Sequence, residues 1–449
     1  MRPNILLLFP DQWRPAWLEG ESEIPLRTGN LKELKESGCY FSNAISPSPL
    51  CAPARAALAT GMKYHNAGVK DNTENLPLDS QTFYKELRDS GYEVLGCGKF
   101  DLHKPAFIWG TNGKNLLEDW GFSSGIDSEG KIDAVAAYKK GSCGPYITYL
   151  KDQGVVEEYI SNMEDRGSLG TSPSILKQEQ YGDDWVCRNG LKLIENSDSE
   201  KPWFLQVNFT GPHLPFDITE KMAGLYKDIN FPVPENGDES IDHMQIRRCY
   251  AAMMDNIDSL IGGFIEKLEE RGDLKNTVIV FASDHGEMLG DRGHYGKCLP
   301  YNPSLGIPMI FSGPGIKKGA VNNSIVELID LYATILEAAA VPISSKTDSR
   351  SLWPILSGKS EHVREHGSSS LSTEKGKGYD WRLVLNDNYK LIEWKDGKRE
   401  LYSRSDFSEK ENLIENCSTE AELLAKELPP WYRDYSFPEQ EIEKRGLHE

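Results

Sequence analysis

Cys51 lies in the run Ser48-Pro49-Leu50-Cys51-Ala52-Pro53-Ala54-Arg55, ahead of an alanine-rich stretch that predicts a helix. A cysteine followed by a nearby arginine can form one end of an anion site, because free backbone N–H groups and the helix dipole add positive potential. A nucleophile beside an anion clamp and a buried structural cysteine both fit these residues. Asp11, Gln12, Asp284 and His285 offer hard oxygen ligands and one imidazole nitrogen, a mixture that suits calcium better than magnesium. Zinc would want a compact His/Cys set, and none accompanies them. In the alternative, Asp284 caps the segment after it and His285 simply packs. Lys99 follows Gly98, and Lys297 lies in Gly293-His294-Tyr295-Gly296-Lys297. Pointing inward, the two lysines can neutralise a tetrahedral oxyanion together with Arg55. Pointing outward, they are solvated surface charges. His213, between Pro212 and Leu214-Pro215, suits a general acid and equally an ordinary loop contact.

Asp11, Lys99, His213 and Asp284 each follow a short apolar run, at 4–9, 92–95, 203–208 and 277–282. Helical patterns fall at 30–37, from Cys51 to Thr60, and at 80–90, 243–270 and 324–338. Short strands alternating with helices predict an α/β sandwich, a mostly parallel central sheet flanked by helices. In such sheets ligands collect beyond the carboxyl ends of strands. Residues 307–311 and the helix at 324–338 read as a further βα pair. Residues 104–175, rich in Gly, Ser and Lys, read as surface excursions around a site entrance with one or two helices, one near 152–164. Trp109, Trp120 and Tyr146 lie in them and can stack on a sugar or anchor loops. Composition shifts at 366–380, and 381–384, 389–394 and 399–402 look like antiparallel strands with an Asp-Gly turn. The expected organisation is a catalytic domain over 1–370 and a small C-terminal α+β subdomain over 371–449, ending in a charged helix.

The 449 residues suffice for one large core and a smaller second one. With 39% hydrophobic and 10% aromatic residues, neither disorder nor a coiled coil describes the chain. A formal net charge of −19 argues against nucleic-acid binding. The eight cysteines show no tight repeating spacing and read mostly as free thiols. The apolar run 5–9 is too short to span a membrane and is broken by Pro10 and Asp11. The expected protein is soluble, periplasmic or secreted if a signal peptide has been removed, and otherwise cytoplasmic.

Cys51-Ala52-Pro53-Ala54-Arg55 with Thr60-Gly61 resembles Cys-x-Pro-x-Arg, the modification signature of the type I, formylglycine-dependent sulfatases of the alkaline phosphatase-like superfamily. Pro3-Asn4-Ile5-Leu6-Leu7-Leu8 with Asp11, Gly98-Lys99, Pro212-His213-Leu214-Pro215-Phe216 and Ser283-Asp284-His285-Gly286-Glu287 with Lys297 match in family order. Tyr389-Lys390-Leu391-Ile392 and Glu411-Asn412-Leu413 look like the family's C-terminal subdomain. The resemblance implies that residue 51 is formylglycine and that Asp11, Gln12, residue 51, Asp284 and His285 hold calcium. Gln12 stands where many sulfatases have aspartate, and His285 where many have asparagine. This pairing resembles the branch containing phosphonate monoester and phosphodiester hydrolases and several sulfatases, where an asparagine matched by Asn72 contacts the transferred group. Arg55, Lys99 and Lys297 would offset charge on that group, and His213 would protonate the leaving oxygen. Asp101 stands where many sulfatases have a histidine and His103 follows two residues later, so either can be the base of the second half-reaction. The Gly-Lys-x-Asp pattern is similar to that of some uronate-type glycosaminoglycan sulfatases, which favours a sulfated mono- or oligosaccharide, with Trp109 among the substrate contacts. The implied function is sulfate-ester hydrolysis, with a formylglycine-generating or sulfatase-maturing enzyme as partner. A phosphonate monoester or phosphodiester hydrolase, and a non-catalytic carbohydrate-binding protein, are the alternatives.

Overall fold

The structure is a computed structural model that describes residues 2–18, 24–234, 237–373 and 378–432. Its strands are β1 (Asn4–Asp11), β2 (Gly38–Phe41), β3 (Ala44–Ile45), β4 (Glu93–Gly98), β5 (Ser124–Asp127), β6 (Trp203–Pro212), β7 (Thr277–Ala282), β8 (Met309–Ser312), β9 (Ala320–Asn322) and β10 (Val326–Glu327). Eight of them form the central sheet in the order β5-β4-β6-β1-β7-β8-β2-β9, and β3 pairs with β10. All neighbours in the central sheet run parallel except at β8, which is antiparallel to both β7 and β2.

Strand β1 shows why the sheet sits where it does. All eight of its residues are buried, with Ile5, Leu7 and Phe9 in one hydrophobic core and Leu6 and Leu8 in the other. Side chains alternate across a strand, so a continuous apolar run must be covered on both faces. Helices Gly29–Ser37, Gly182–Glu195 and His243–Arg271 cover one face. Helices Cys51–Thr60, Phe83–Asp89 and Asp330–Ala338 cover the other. The helix from Cys51 is alanine-rich, and Pro53 falls in its first turn, where no intrahelical N–H is lost. It ends at Gly61 with φ +66°, where a Cβ would meet Tyr332 Cγ at 2.7 Å, so the cap must be glycine.

Beyond the central sheet, β11 (Gly367–Leu371), β12 (Trp381–Leu385), β13 (Tyr389–Trp394) and β14 (Arg399–Ser403) form an antiparallel sheet. Helix Ser418–Ala425 packs against it. The charged end of the chain, 433–449, lies outside the described residues. Among the described residues no helix is long and apolar enough to cross a membrane.

Three expectations are corrected. Residues 307–311 and 324–338 do not make a parallel βα pair. The long connection after β7 stays at the carboxyl edge of the sheet, so β8 starts there and runs back, and β9 and β10 precede a helix that begins only at Asp330. The stretch 104–175 is more regular than its composition implies. It holds helices Lys131–Lys139, Pro145–Asp152 and Val156–Arg166, the last two separated by Gly154 at φ +70°. Trp120 and Tyr146 are buried in the cores at 1% and 6% exposure and offer no platform for a sugar.

Candidate active site

Four strand ends meet at the carboxyl edge of the sheet. Strand β1 delivers Asp11 and Gln12, β4 delivers Lys99, β6 leads to His213, and β7 delivers Asp284 and His285. Because β4, β6, β1 and β7 are consecutive in the sheet, groups far apart in sequence become neighbours. Cys51, first residue of its helix, enters the same space. Its Sγ lies 3.3 Å from His285 Nε2 and 3.8 Å from Asp11 Oδ1. Ligand atoms of Asp11, Cys51, Asp284 and His285 all fall within 4.8 Å of one another, and all four residues are buried.

This cluster is built to take a cation. His285 Nδ1 faces the Gly286 carbonyl at 3.0 Å and can only donate to it, which leaves the Nε2 lone pair for the cluster. Asp284 Oδ1 accepts the Gln12 and His285 backbone N–H groups at 3.0 and 2.9 Å, fixing the carboxylate. Gln12 itself has φ +72°, a strained conformation for a non-glycine residue. It is held there by Tyr250, whose hydroxyl donates to the Gln12 carbonyl at 2.7 Å and accepts the Arg14 N–H at 2.8 Å.

Positive charges surround the carboxylates. Arg55 Nε donates to Asp284 Oδ2 at 2.9 Å, its Nη2 lies 3.5 Å from Asp11 Oδ2, and its Nη1 donates to the Lys99 carbonyl at 2.5 Å. Lys99 points inward and pairs with Asp11, and its Nζ lies 3.1 Å from Asp101 Oδ2. Lys297 also points inward, 2.6 Å from Gln12 Oε1 and 3.0 Å from Cys51 Sγ. Burial pushes the Asp11 carboxyl up, but Lys99, His213, Lys297 and Arg55 outweigh it and hold it well below the usual carboxylate range. Burial and Asp11 push the Cys51 thiol up, yet Lys297, Lys99 and His285 prevail and bring it down to about 5. Such a site stabilises negative charge at residue 51. Burial, Lys297 and Lys99 hold His213 well below its ordinary value, against Asp11 and a hydrogen bond to the Leu214 carbonyl.

The two candidate bases separate clearly. Asp101, at φ +54°, turns toward the site, with Oδ2 accepting Lys99 and, at 2.8 Å, Lys104, which in turn reaches Asp133 at 2.5 Å. Burial raises the Asp101 carboxyl, but Lys104, Lys99 and Arg55 hold it well below the usual range. His103 turns instead to the Leu76 carbonyl at 3.1 Å and packs against Trp120; burial lowers it to about 4. Asn72 Oδ1 accepts the Ala52 N–H at 3.1 Å, satisfying one of the open donors at the start of the Cys51 helix. Trp109 is 5% exposed and stacks on Phe107.

Sequence reasoning missed Tyr250, Asn208 and a role for Glu287. Asn208, at the site end of β6, accepts Arg55 Nη1 at 3.4 Å and Gln206 Nε2 at 2.8 Å. Its position at the end of the apolar run 203–208 was the available signal. Tyr250 had none, since it sits among core residues of the long helix.

A mostly parallel sandwich with a buried carboxylate–imidazole cluster, able to ligate a metal, at its carboxyl edge defines an alkaline phosphatase-like hydrolase. Within that class the chain belongs to the sulfatase family, whose model matches residues 3–341, and it is a sulfuric ester hydrolase. A second model, the C-terminal region of N-sulphoglucosamine sulphohydrolase, matches 290–429. An arylsulfatase of Clostridium perfringens is 28% identical over 409 residues, covering 83% of each chain. An N-acetylglucosamine-6-O-sulfatase of Bacteroides thetaiotaomicron is 25% identical over 79% of this chain and 71% of its own. Among solved structures, the phosphonate monoester hydrolase of Agrobacterium radiobacter superposes with a TM-score of 0.77 at 21% identity, covering 95% of this chain and 94% of the other.

Proposed function

We propose that this chain releases inorganic sulfate from a sulfated mono- or oligosaccharide after a formylglycine-generating or sulfatase-maturing enzyme has converted Cys51 to formylglycine. Calcium would be held by Asp11, Gln12, residue 51, Asp284 and His285. The observation that carries the reading is the position of Cys51, at a helix start, against a buried Asp/Asp/His cluster and 3.0 Å from a lysine. The donor set is dominated by oxygen, which favours calcium over zinc. Calcium would draw negative charge from the sulfate group, and formylglycine in its hydrated form would supply the attacking hydroxyl.

The chain's own residues do the rest. Arg55 holds the Asp11 and Asp284 carboxylates in place, while Lys99 and Lys297 offset charge on the transferred group; one well-placed donor of this kind contributes about 2.7–4 kcal/mol. His213 gives its proton to the leaving alcohol oxygen. An arriving anion offsets Lys297 and Lys99, so substrate itself raises the His213 pKa and loads that proton. Asp101 accepts a proton from residue 51 as sulfate departs, since Lys99 and Lys104 keep its carboxylate ionised, and His103 faces away.

Sugar as the carrier is supported by the likeness to an N-acetylglucosamine-6-O-sulfatase and by the Gly98-Lys99-Phe100-Asp101 pattern. The test is matured, calcium-loaded protein assayed side by side on sulfated mono- and disaccharides, an aryl sulfate and a phosphonate monoester. Sulfate release from a sugar is expected, with formylglycine in the peptide bearing residue 51. Turnover of the phosphonate with none of any sulfated sugar would reverse the assignment. Full activity of protein whose Cys51 is unmodified would remove formylglycine from it.

A further inference from the structure

Glu287 is wholly buried beside the cluster and has no part in the steps above. Its Oε1 accepts the Leu289 N–H at 3.0 Å and the Gly296 N–H at 2.6 Å, and its Oε2 accepts the Gln12 carboxamide nitrogen. The oxygen of that carboxamide accepts Lys297 Nζ at 2.6 Å, and the same ammonium lies 3.0 Å from Cys51 Sγ. Only one orientation of the Gln12 amide satisfies both neighbours. Turned over, it would set an NH2 group against an ammonium and an oxygen against a carboxylate, losing two charge-assisted bonds and gaining two repulsions.

A carboxylate at position 12 would present oxygen whichever way it turned. An amide presents oxygen one way and an N–H2 donor, which repels a cation, the other. We propose that Glu287 is a positioning residue: it fixes the Gln12 carboxamide with its oxygen toward the metal cluster, so that a neutral side chain can serve there as a calcium ligand. The inference rests on the calcium reading of the cluster given above.

Calorimetric calcium titration of chelator-stripped protein tests it, with thermal unfolding of each metal-free variant alongside. In E287Q the new amide keeps its oxygen on the Leu289 and Gly296 N–H groups, so its NH2 faces Gln12 and turns that amide over. Calcium affinity should fall by about 10–100-fold, the usual cost of removing a group that orients a ligand. In Q12E/E287Q the same NH2 meets a side chain with oxygen at both ends, and most of the lost affinity should return whatever happens to the melting temperature. Should E287Q fail to fold, calcium binding by a folded double variant still supports the role, and its absence overturns it. Wild-type affinity in E287Q, or an equal loss in both variants, overturns the positioning role alone. A wild-type protein that binds no calcium overturns the calcium reading and this inference with it.

Discussion

His213 is held low by burial and by Lys297 and Lys99, which push its proton off, while Asp11 pulls it back. A general acid matters most when the leaving oxygen is poor. We expect His213→Ala to lose about 10²–10⁴-fold in kcat/KM on a sulfated sugar and far less on an activated aryl sulfate. Equal losses on both would remove the acid role. Asp101 and His103 are distinguished in the second half of the reaction. With a radiolabelled sulfate ester, Asp101→Asn should leave label on the peptide bearing residue 51, whereas His103→Ala should not, given its bond to the Leu76 carbonyl. The reverse pattern would exchange their roles. Both residues were candidates from sequence, and the strained Asp101 backbone, invisible there, separates them.

Among the elements, helix Gly29–Ser37 has a start that its own N-cap residue does not cap. Thr28, its N-cap, makes no side-chain capping bond, and Asp258 of the long helix instead accepts the Leu31 N–H at 2.8 Å and the Asn30 N–H at 3.1 Å. Removing that acceptor in Asp258→Ala leaves the buried Leu31 N–H unsatisfied and should cost about 1–3 kcal/mol. Burial raises the Asp258 carboxyl to about 6, against the bonds from Leu31 and Asn30. A carboxyl with a raised folded pKa binds its proton more tightly folded than unfolded. Its contribution is therefore full below the ordinary value near 4 and is lost as pH rises through about 6. Urea unfolding should show Asp258→Asn losing more stability, relative to wild type, at pH near 4 than at pH near 7. A difference that grows toward pH 7 would refute the assignment. No local pattern around residue 30 advertises this cap, because its acceptor is supplied from position 258.

For the whole molecule, the two carboxylates, the histidine and Gln12 come together only in the folded chain, so calcium should bind the folded state far better than the unfolded one. At a hundredfold excess over its dissociation constant, a ligand of that kind adds about 2.7 kcal/mol. For a chain of 449 residues with roughly 2.1 cal/mol/K of unfolding entropy per residue, a cooperative transition should move up by about 3 °C. Calorimetry with calcium and with excess chelator checks this, and coincident transitions would count against a calcium site. Although the chain carries a net charge of −19, Arg55, Lys99 and Lys297 place three cations in this pocket and make it receptive to an anion.

The sequence by itself determined the class of fold and most of the site's membership. Apolar runs ending in Asp11, Lys99 and Asp284 are strands because their side chains need cover on both faces, and the carboxyl edge of a parallel sheet gathers whatever follows them. The helix at Cys51 was equally legible from its alanines and from Gly61. What only the tertiary structure decided depends on direction and on distant partners. The loop after β7 turns β8 antiparallel, Trp120 and Tyr146 face the cores, His103 looks away while Asp101 looks in, and Glu287 and Tyr250 hold Gln12. These outcomes are set by which groups can satisfy one another across the packed layers, and a linear pattern records a residue's type without the angle at which its side chain leaves the backbone.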